Sequence, residues 1–520
     1  MCDYEEGVVD STIEYKRLIV CCDGTNQSSI SDREAKVPTN VTRFARALKC
    51  SEFQKRDGVT REIPQVVLYQ TGVGTGGLTK ISDTIAGAFG YGLDLHIVEA
   101  YSFFSHNFEK DDQLFLFGFS RGAFTARAIA SVICNIGLLE KGSLQYFPMI
   151  YKRYKQRCSA KEGQEGFDQW LERLKKEENL QFLDEVSIHH LGVWDTVGSL
   201  GVPRTWISNT LNKIGFSINL NKKYEYHDMS FPIPPRNKRD KGFKGFIHSA
   251  SQALSLDETR ISFAPILLYC PTGSVGGLHF GHRTGFQQSW FPGVHTDVGG
   301  GYSRVYDDIS DITLAWMIDR CDRRLRFKQG KDLKEELKQS SKQIEDPDSK
   351  AKTTRPEVSS KLDPERWAIS ALHNEANKGI FRFGGTAART PGQYFLDKKD
   401  EQENPLEAKE YIHVSVRARM IKEPTWRPAA LAGFTVKKDK EGKYNWHKVI
   451  NERGKEPREI IIPEDGFHDK FNRAGLSYRL LSDTDKGLLD SDARNLQIGM
   501  VPEKKSWWTW SWFPWNWGRT

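Results

Sequence analysis

A G-x-S-x-G turn formed by Gly118, Ser120 and Gly122 is the feature that most constrains the fold of this chain. The turn follows the apolar run 113–117 and precedes the helix-compatible stretch 123–130. In this context a serine is held on a sharp turn with its hydroxyl above the edge of a sheet. The flanking glycines fit, because strand and helix backbones approach too closely for a Cβ atom. The pattern predicts a nucleophilic Ser120; the alternative is an ordinary glycine turn with an exposed serine.

Short apolar runs alternate with helix-compatible stretches along the first 300 residues. The strand candidates are 17–22, 65–70, 113–117, 187–194, 265–269 and 289–294. The helix candidates are 39–49, 80–108, 121–138 and 247–257. This alternation predicts an α/β fold with a mainly parallel sheet and helices on both faces. Active sites of such sheets form at the carboxyl ends of the strands.

Composition and charge predict the domain organisation. The 38% of hydrophobic and 28% of charged residues are typical of a globular protein with polar insertions. We predict, in chain order, an acidic N-terminal tail at 1–15, a catalytic domain at 16–327 with insertions at about 151–185 and 202–246, a charged linker or mobile insertion at 328–362, an extension packing on the core at 363–480, and a tail with a Trp-rich segment at 481–520.

A serine nucleophile needs a base, and the base needs a third group that orients it. His295 is the candidate base, because it ends the last strand in a glycine-rich turn and follows the other candidates in the chain. Asp195 is the candidate acid, since it ends the strand after the nucleophile strand, although Asp also favours such turns. Asp297 is an alternative acid that could instead shape the glycine loop. His413 is a competing base that we expect to be structural.

An oxyanion hole requires two backbone N–H donors. The first is predicted to be the amide of Arg121, directly after the nucleophile. The second should come from the loop after the first strand, where Gly24 or Thr25 permits close approach of the backbone. Asp23 in that loop could bind a metal, but no carboxylate cluster accompanies it in the sequence. We therefore expect neither a metal nor an organic cofactor.

A second glycine-rich loop at 72–77 matches the pattern G-x-G-x-x-G. Asp94 follows at about the distance that a ribose contact requires in a dinucleotide site. Such a site normally opens the first βαβ unit and runs directly into its helix, whereas a strand already precedes this loop. A glycine loop beside the active site is the favoured interpretation, and nucleotide binding is the alternative.

The C-terminus predicts contact with a membrane surface. Six of the 14 tryptophans follow Lys504 and Lys505, namely Trp507, Trp508, Trp510, Trp512, Trp515 and Trp517. Indole rings prefer the headgroup level of a bilayer, and lysines favour anionic lipid. The alternative is that the rings pack on the protein's own surface. The net charge of +7 is mild for this length and does not indicate a nucleic-acid partner.

The cysteines and the N-terminus bear on the compartment. Eight cysteines occur without a C-x-x-C motif or regular spacing, which predicts neither a zinc site nor a disulfide framework. The N-terminus is acidic and lacks an apolar stretch typical of a signal peptide. The sequence has no run of about 18 apolar residues. We expect a cytoplasmic protein with peripheral contact to intracellular membranes.

Five motifs in order carry a resemblance to a known family. They are 18–25, 72–76, 118–123, 192–198 and 291–302. Together they resemble the catalytic domain of the type VI secretion phospholipase effectors and their largely fungal relatives, an α/β-hydrolase group. The resemblance covers roughly 16–320 and extends more weakly to about 420, including the tracts 253–260 and 411–417.

This resemblance implies a Ser–Asp–His triad, which falls on Ser120, Asp195 and His295. It also implies hydrolysis of carboxylic esters of phospholipids or other acyl lipids through an acyl-enzyme. The sequence therefore predicts a serine ester hydrolase whose substrate is an acyl lipid or ester. The alternatives are a non-catalytic membrane-associated scaffold with the same fold, and a nucleotide-binding protein that uses the loop 72–77.

Overall fold

The computed structural model of the chain describes residues 11–24, 38–72, 93–157, 165–183, 186–197, 246–271, 285–301, 308–321, 323–329, 367–373, 386–396, 399, 403, 405–451, 454, 456–467, 473, 475–479 and 481–490. The predicted insertion 202–246 and the predicted linker 328–362 therefore lie almost entirely outside the described residues.

Strands and α-helices alternate through the first half of the described chain. The strands are β1 (Ser11–Ile13), β2 (Arg17–Cys22), β3 (Ser51–Arg56), β4 (Val59–Gln70), β5 (Gln113–Phe119), β6 (Leu138–Leu139), β7 (Phe182–Leu183), β8 (Ser187–Trp194), β9 (Phe246–Ile247), β10 (Ala250–Ser255), β11 (Cys270–Pro271), β12 (Phe286–Phe291), β13 (Leu406–Glu407), β14 (Glu410–His413), β15 (Thr435–Lys438), β16 (Tyr444–Ile450) and β17 (Arg458–Asp465). The α-helices are α1 (Asn40–Ala47), α2 (Leu93–Asn107), α3 (Arg121–Ile136), α4 (Phe147–Lys155), α5 (Phe167–Glu177), α6 (His295–Gly299), α7 (Asp308–Cys321), α8 (Val414–Lys422), α9 (Leu476–Arg479) and α10 (Asp483–Asp490). Short 3-10 helices cover Lys141–Tyr146, Ile261–Phe263 and Ala429–Leu431.

One large sheet organises the fold. Within the described ranges it has 13 strands, and its main path runs β1-β4-β2-β5-β8-β10-β12-β14-β17-β16-β15. The pairs from β1 to β17 are parallel, whereas β17, β16 and β15 pair antiparallel. β3 pairs antiparallel with β4, and β9 pairs parallel with β8. The prediction of a mainly parallel α/β sheet is confirmed.

The central strands are apolar along their length because helices cover both faces of the sheet. β2 is buried throughout. Its alternate residues Leu18 and Val20 pack in a core with α2 and α3, whereas Ile19 and Cys21 pack in a second core with α1 and α7. A strand with two buried faces gives a continuous hydrophobic run, which is why the sequence predicted β2, β5 and β8 correctly.

A third core lies under the strands that follow residue 405. Trp290 of β12, Ile412 of β14 and Trp446 of β16 are fully buried and pack in one cluster. The buried ion pair of Arg417 with Glu464 ties α8 to β17. This part of the chain therefore continues the same sheet, beyond the strand that carries the candidate histidine.

Two sequence-based assignments are wrong. The stretch 247–257, predicted as a helix, contains strand β10 (Ala250–Ser255), and 265–269, predicted as a strand, lies before the short strand β11. Alanine, glutamine and leucine favour a helix in isolation, but tertiary context overrides that preference. β10 pairs on both sides, with β8 and β12, and Gln252 Nε2 donates to Gln288 Oε1 over 3.0 Å.

The described cysteines include both thiols and a disulfide-bonded residue. Cys21, Cys22, Cys134 and Cys321 are buried thiols. Cys50 is disulfide-bonded. None of the helices in the described ranges is long and apolar enough to cross a bilayer.

Candidate active site

Ser120 occupies the turn between β5 and α3. Its backbone has φ of 59° and ψ of −122°, in a region that L-residues rarely adopt. A Cβ atom at Gly122 would lie 2.2 Å from the Cys22 carbonyl oxygen, and one at Gly118 would lie 2.4 Å from the Gly122 carbonyl oxygen. Both glycines are needed because β2, β5 and α3 meet here backbone to backbone. The local sequence thus forces the serine onto a strained turn.

Substituting Gly122 with alanine should therefore destabilise the protein. The added methyl group meets the carbonyl oxygens of Cys22, which ends β2, and of Asp23 directly after it, and both residues are buried. We expect a loss of about 3 kcal/mol or more in the free energy of unfolding, at the upper end of overpacking effects. Urea denaturation measures it. Gly142→Ala is the control, since nothing lies within 4 Å of its Cβ position; equal stability of the two variants would contradict the prediction.

A chain of hydrogen bonds links Ser120 to His295 and Asp195. His295 Nε2 lies 2.8 Å from Ser120 Oγ, and His295 Nδ1 lies 2.6 Å from Asp195 Oδ2. Ser120, His295 and Asp195 are 8%, 4% and 0% exposed. The three residues follow β5, β12 and β8, so parallel strands deliver them to one edge of the sheet.

The backbone around Asp195 fixes its carboxylate beside the histidine. Asp195 has φ of 39°, and its amide donates to the Ala253 carbonyl oxygen over 2.7 Å. Its Oδ1 accepts from the amide of Ser255 over 3.0 Å. Arg389 donates to both carboxylate oxygens. Burial alone would raise the pKa of Asp195, but the charge of Arg389 and the bonds from His295 and Arg389 hold that pKa well below its usual range.

The alternative acid Asp297 contacts other groups. Its Oδ2 accepts from the Val294 amide over 2.9 Å, and its Oδ1 lies 2.5 Å from His373 Nδ1. The contact with Val294 closes the first turn of α6. Of the two candidate acids, the structure brings Asp195 onto His295.

The competing base His413 has a structural environment. It caps α8, where its Nδ1 accepts from the amide of Ser415 over 3.2 Å. Its ring stacks on Phe291 with centroids 4.4 Å apart. Burial lowers the pKa of His413 to about 4, so the ring stays neutral. The expectation that His413 supports the fold agrees with these contacts.

The loop after β2 passes beside the serine. A Cβ atom at Gly24 would lie 3.5 Å from Ser120 Cβ. The Gly24 amide, however, donates to Asp23 Oδ1 over 2.6 Å, and Thr25 lies outside the described residues. Arg121 is the first residue of α3, where helix amides lack intrahelical partners. Of the predicted oxyanion donors, the Arg121 amide lies next to Ser120 at the start of α3, while the Gly24 amide donates to Asp23.

The Asp23 carboxylate accepts hydrogen bonds from three hydroxyl groups around that loop. Its Oδ1 accepts from Thr39 Oγ1 over 2.7 Å, and its Oδ2 accepts from Thr42 Oγ1 over 2.8 Å and from the Tyr69 hydroxyl. Burial raises the pKa of Asp23, although these hydrogen bonds oppose the increase. Over the described ranges, no group of three or more His, Cys, Asp or Glu residues could hold a metal ion.

Two other predicted features fall largely outside the described residues. Only Gly72 of the loop 72–77 is described, and Asp94 is fully buried in α2. Asp94 accepts from the Tyr151 hydroxyl over 2.7 Å and from Lys155 Nζ over 2.6 Å, so its carboxylate is occupied by α4. The six C-terminal tryptophans, Trp507, Trp508, Trp510, Trp512, Trp515 and Trp517, lie outside the described residues.

Sequence reasoning missed several residues that surround the histidine. Arg389 lies in an irregular segment with no motif, so no local signal marks it. The rings of Phe119 and Phe263 lie 4.7 Å and 5.0 Å from the His295 ring, centroid to centroid. The amide of His295 donates to Glu258 Oε2 over 3.3 Å. Phe119 and Glu258 fall within the motif 118–123 and the tract 253–260, which the resemblance included.

Comparison with known proteins gives a consistent set of relatives. A family model described as the catalytic domain of Tle1-like type VI secretion phospholipase effectors matches residues 16–320. Uncharacterized protein YEL023C of Saccharomyces cerevisiae is 26% identical over 398 residues, and the match covers 58% of this chain and 56% of that protein. The chain thus spans about half the length of this curated relative.

Two solved structures are also similar to part of this chain. The Tle1 effector bound to the VgrG spike of the type VI secretion system is 18% identical with a TM-score of 0.29, covering 57% of this chain and 52% of the other. An uncharacterized protein from Pseudomonas aeruginosa is 17% identical with a TM-score of 0.32, covering 62% of this chain and 48% of the other.

Proposed function

Because this chain belongs to the family of Tle1-like phospholipase effector catalytic domains, we propose that it is a serine hydrolase that cleaves carboxylic esters of phospholipids or other acyl lipids. The observation that carries the proposal is the unbroken hydrogen-bond chain from Ser120 through His295 to Asp195. A serine on a strained turn, a base within 2.8 Å and a buried acid together satisfy the requirements of nucleophilic catalysis.

In the proposed mechanism, Ser120 Oγ attacks the acyl carbonyl carbon while its proton passes to His295 Nε2. Asp195 holds the imidazole and stabilises the imidazolium that forms. The tetrahedral intermediate collapses to an acyl-enzyme, and the leaving alcohol takes the proton from His295. Water then attacks the acyl-enzyme with His295 again as base, which releases the fatty acid and restores the Ser120 hydroxyl.

The negative oxygen of the tetrahedral intermediate needs preorganised donors. We assign one to the Arg121 amide at the start of α3, where the helix dipole also favours negative charge. The second belongs to the loop after β2, where Thr25 is the remaining candidate, since Asp23 engages the Gly24 amide. No step of this mechanism requires a metal or an organic cofactor.

A lipid substrate is presented at a membrane surface. We propose that the Trp-rich segment after Lys505 makes the peripheral contact, as amphipathic indole rings and adjacent lysines favour the interface of anionic bilayers. The protein would then act at the surface of intracellular membranes from the cytoplasm. A non-catalytic scaffold would share this contact and lack turnover.

A vesicle assay separates these possibilities. Purified full-length protein is incubated with vesicles of phosphatidylcholine and phosphatidylglycerol, and mass spectrometry measures released fatty acid and lysophospholipid. We expect both products in equal amounts, because one acyl bond breaks per turnover. Flotation of the same samples measures membrane binding. Binding without release of either product would favour the scaffold.

A truncation after Val501 serves as the matched control for membrane contact. Loss of flotation together with slower release from vesicles, but unchanged hydrolysis of a soluble ester, would support the role of the tryptophans. Equal flotation of the two forms would end that part of the proposal and leave the hydrolase assignment intact.

A further inference from the structure

Asp195, which bonds to His295, has a second partner in the buried guanidinium of Arg389. Its Nη1 lies 2.5 Å from Asp195 Oδ1 and its Nη2 lies 2.9 Å from Asp195 Oδ2. The two side chains are 3% and 0% exposed. This is a forked pair, in which two parallel N–H bonds fix the rotation of the carboxylate as well as its position.

Arg389 is itself held by backbone groups. Its Nη1 also donates to the Ser255 carbonyl oxygen, and its Nη2 donates to the Phe263 carbonyl oxygen, each over 2.9 Å. The first carbonyl ends β10, and the second ends the 3-10 helix beside the His295 ring. Arg389 thus joins the acid to two of the segments that surround the histidine.

The charge of Arg389 acts on the histidine through the acid. A buried carboxylate alone stabilises a neighbouring imidazolium, and a cation on that carboxylate reduces the effect. The other acidic groups near His295 have hydrogen-bond or ion-pair partners of their own. Glu258 pairs with Arg260, Asp297 contacts His373, and the Asp257 carboxylate accepts from the Gly293 amide. Arg389 is the cation that bonds directly to the acid of the triad.

We propose that Arg389 is a positioning residue of the hydrolase, which orients Asp195 Oδ2 toward His295 Nδ1 and offsets part of the charge of that carboxylate. A neutral imidazole is the form that can accept the serine proton. The inference rests on the proposed function, because it describes how the same triad is kept ready. It adds a fourth side chain to the three that the sequence indicates.

The pH dependence of kcat/KM on a soluble ester tests this role, because its acid limb reports the pKa of the base in the free enzyme. In Arg389→Met the uncompensated carboxylate should move the acid limb to higher pH by about one unit. Loss of the fork should lower kcat at the plateau about tenfold or more, with a smaller effect on KM. Arg389→Lys should return the acid limb toward its wild-type position, since the charge remains, but should recover kcat only in part.

Arg417→Met is the matched control. Arg417 is 1% exposed and donates through Nε and Nη2 to Glu464 of β17, a second buried forked pair two strands beyond β12 in the sheet. This variant should lose stability and keep the wild-type acid limb. The same shift in Arg417→Met, or wild-type acid limb and kcat in Arg389→Met, would overturn the proposal.

Two further outcomes are distinguishable. If Arg389→Met does not fold by circular dichroism, Arg389→Lys decides, and full wild-type kcat in that variant would exclude a role for the fork. If folded wild-type protein hydrolyses no ester and carries no reactive serine, the proposed function fails first and the positioning role fails with it.

Discussion

Replacing Ser120 with alanine should abolish both ester hydrolysis and labelling by a fluorophosphonate probe. Among the described contacts, Ser120 Oγ is the one atom within hydrogen-bond reach of His295 Nε2 that could form an acyl-enzyme, and the substitution removes it. Loss of the nucleophile from a triad typically lowers kcat about a million-fold, because the remaining groups act only as a unit. Fluorescence of the labelled protein on a denaturing gel, wild type beside Ser120→Ala, measures the effect within one experiment.

Ser131→Ala is a suitable control for that experiment. Ser131 lies on α3, the same helix that follows the nucleophile, and its hydroxyl contacts the Tyr154 hydroxyl over 2.9 Å. Labelling should survive in this variant. Equal labelling of Ser120→Ala and wild type would place the reactive serine elsewhere. Folded wild-type protein that resists the probe with and without vesicles would favour the non-catalytic scaffold.

The parts of the fold that could be predicted from the sequence are those in which local pattern and tertiary burial agree. β2 and β5 are buried on both faces, so their apolar runs mark them without reference to the rest of the chain. The turn at Ser120 is marked because glycine alone fits the approach of β2 to α3. Parallel strands then imply that residues after each strand meet at one edge, which is where Asp195 and His295 lie.

The parts that could not be predicted depend on contacts between distant segments. The residues of β10 predict a helix because alanine, glutamine and leucine favour that structure in isolation. The segment forms a strand because it pairs with β8 and β12. Arg389 belongs to an irregular segment, and nothing in its local sequence indicates that it reaches Asp195. The capture of the Gly24 amide by Asp23 is a side-chain rotation that no pattern of residue types encodes.

The second large effect is expected in Asp195→Asn. The Asp195 carboxylate accepts from Arg389 and from His295 Nδ1, whereas an asparagine side chain has one oxygen and one NH2 group. The NH2 group must therefore face one of these donors. His295 would then lose the tautomer that leaves Nε2 free to accept the serine proton, and kcat should fall about ten-thousand-fold. The same substitution leaves Arg389 buried without a carboxylate, which should cost about 3–5 kcal/mol of folding free energy. Thermal unfolding must therefore accompany the kinetics, so that the rate refers to folded protein.

Asp297→Asn is the matched comparison for Asp195→Asn, because it replaces the carboxylate of the competing acid by the same amide group. The asparagine oxygen can still accept from the Val294 amide, and only the contact with His373 loses its charge. We expect kcat within a few fold of wild type, since the contacts of Asp297 with Val294 and His373 do not include the bond from His295 to Ser120. A stopped assay with a soluble ester compares the two variants at the plateau of the pH profile. Full activity in Asp195→Asn together with loss of activity in Asp297→Asn would reverse the assignment of the acid and, with it, the role of Arg389.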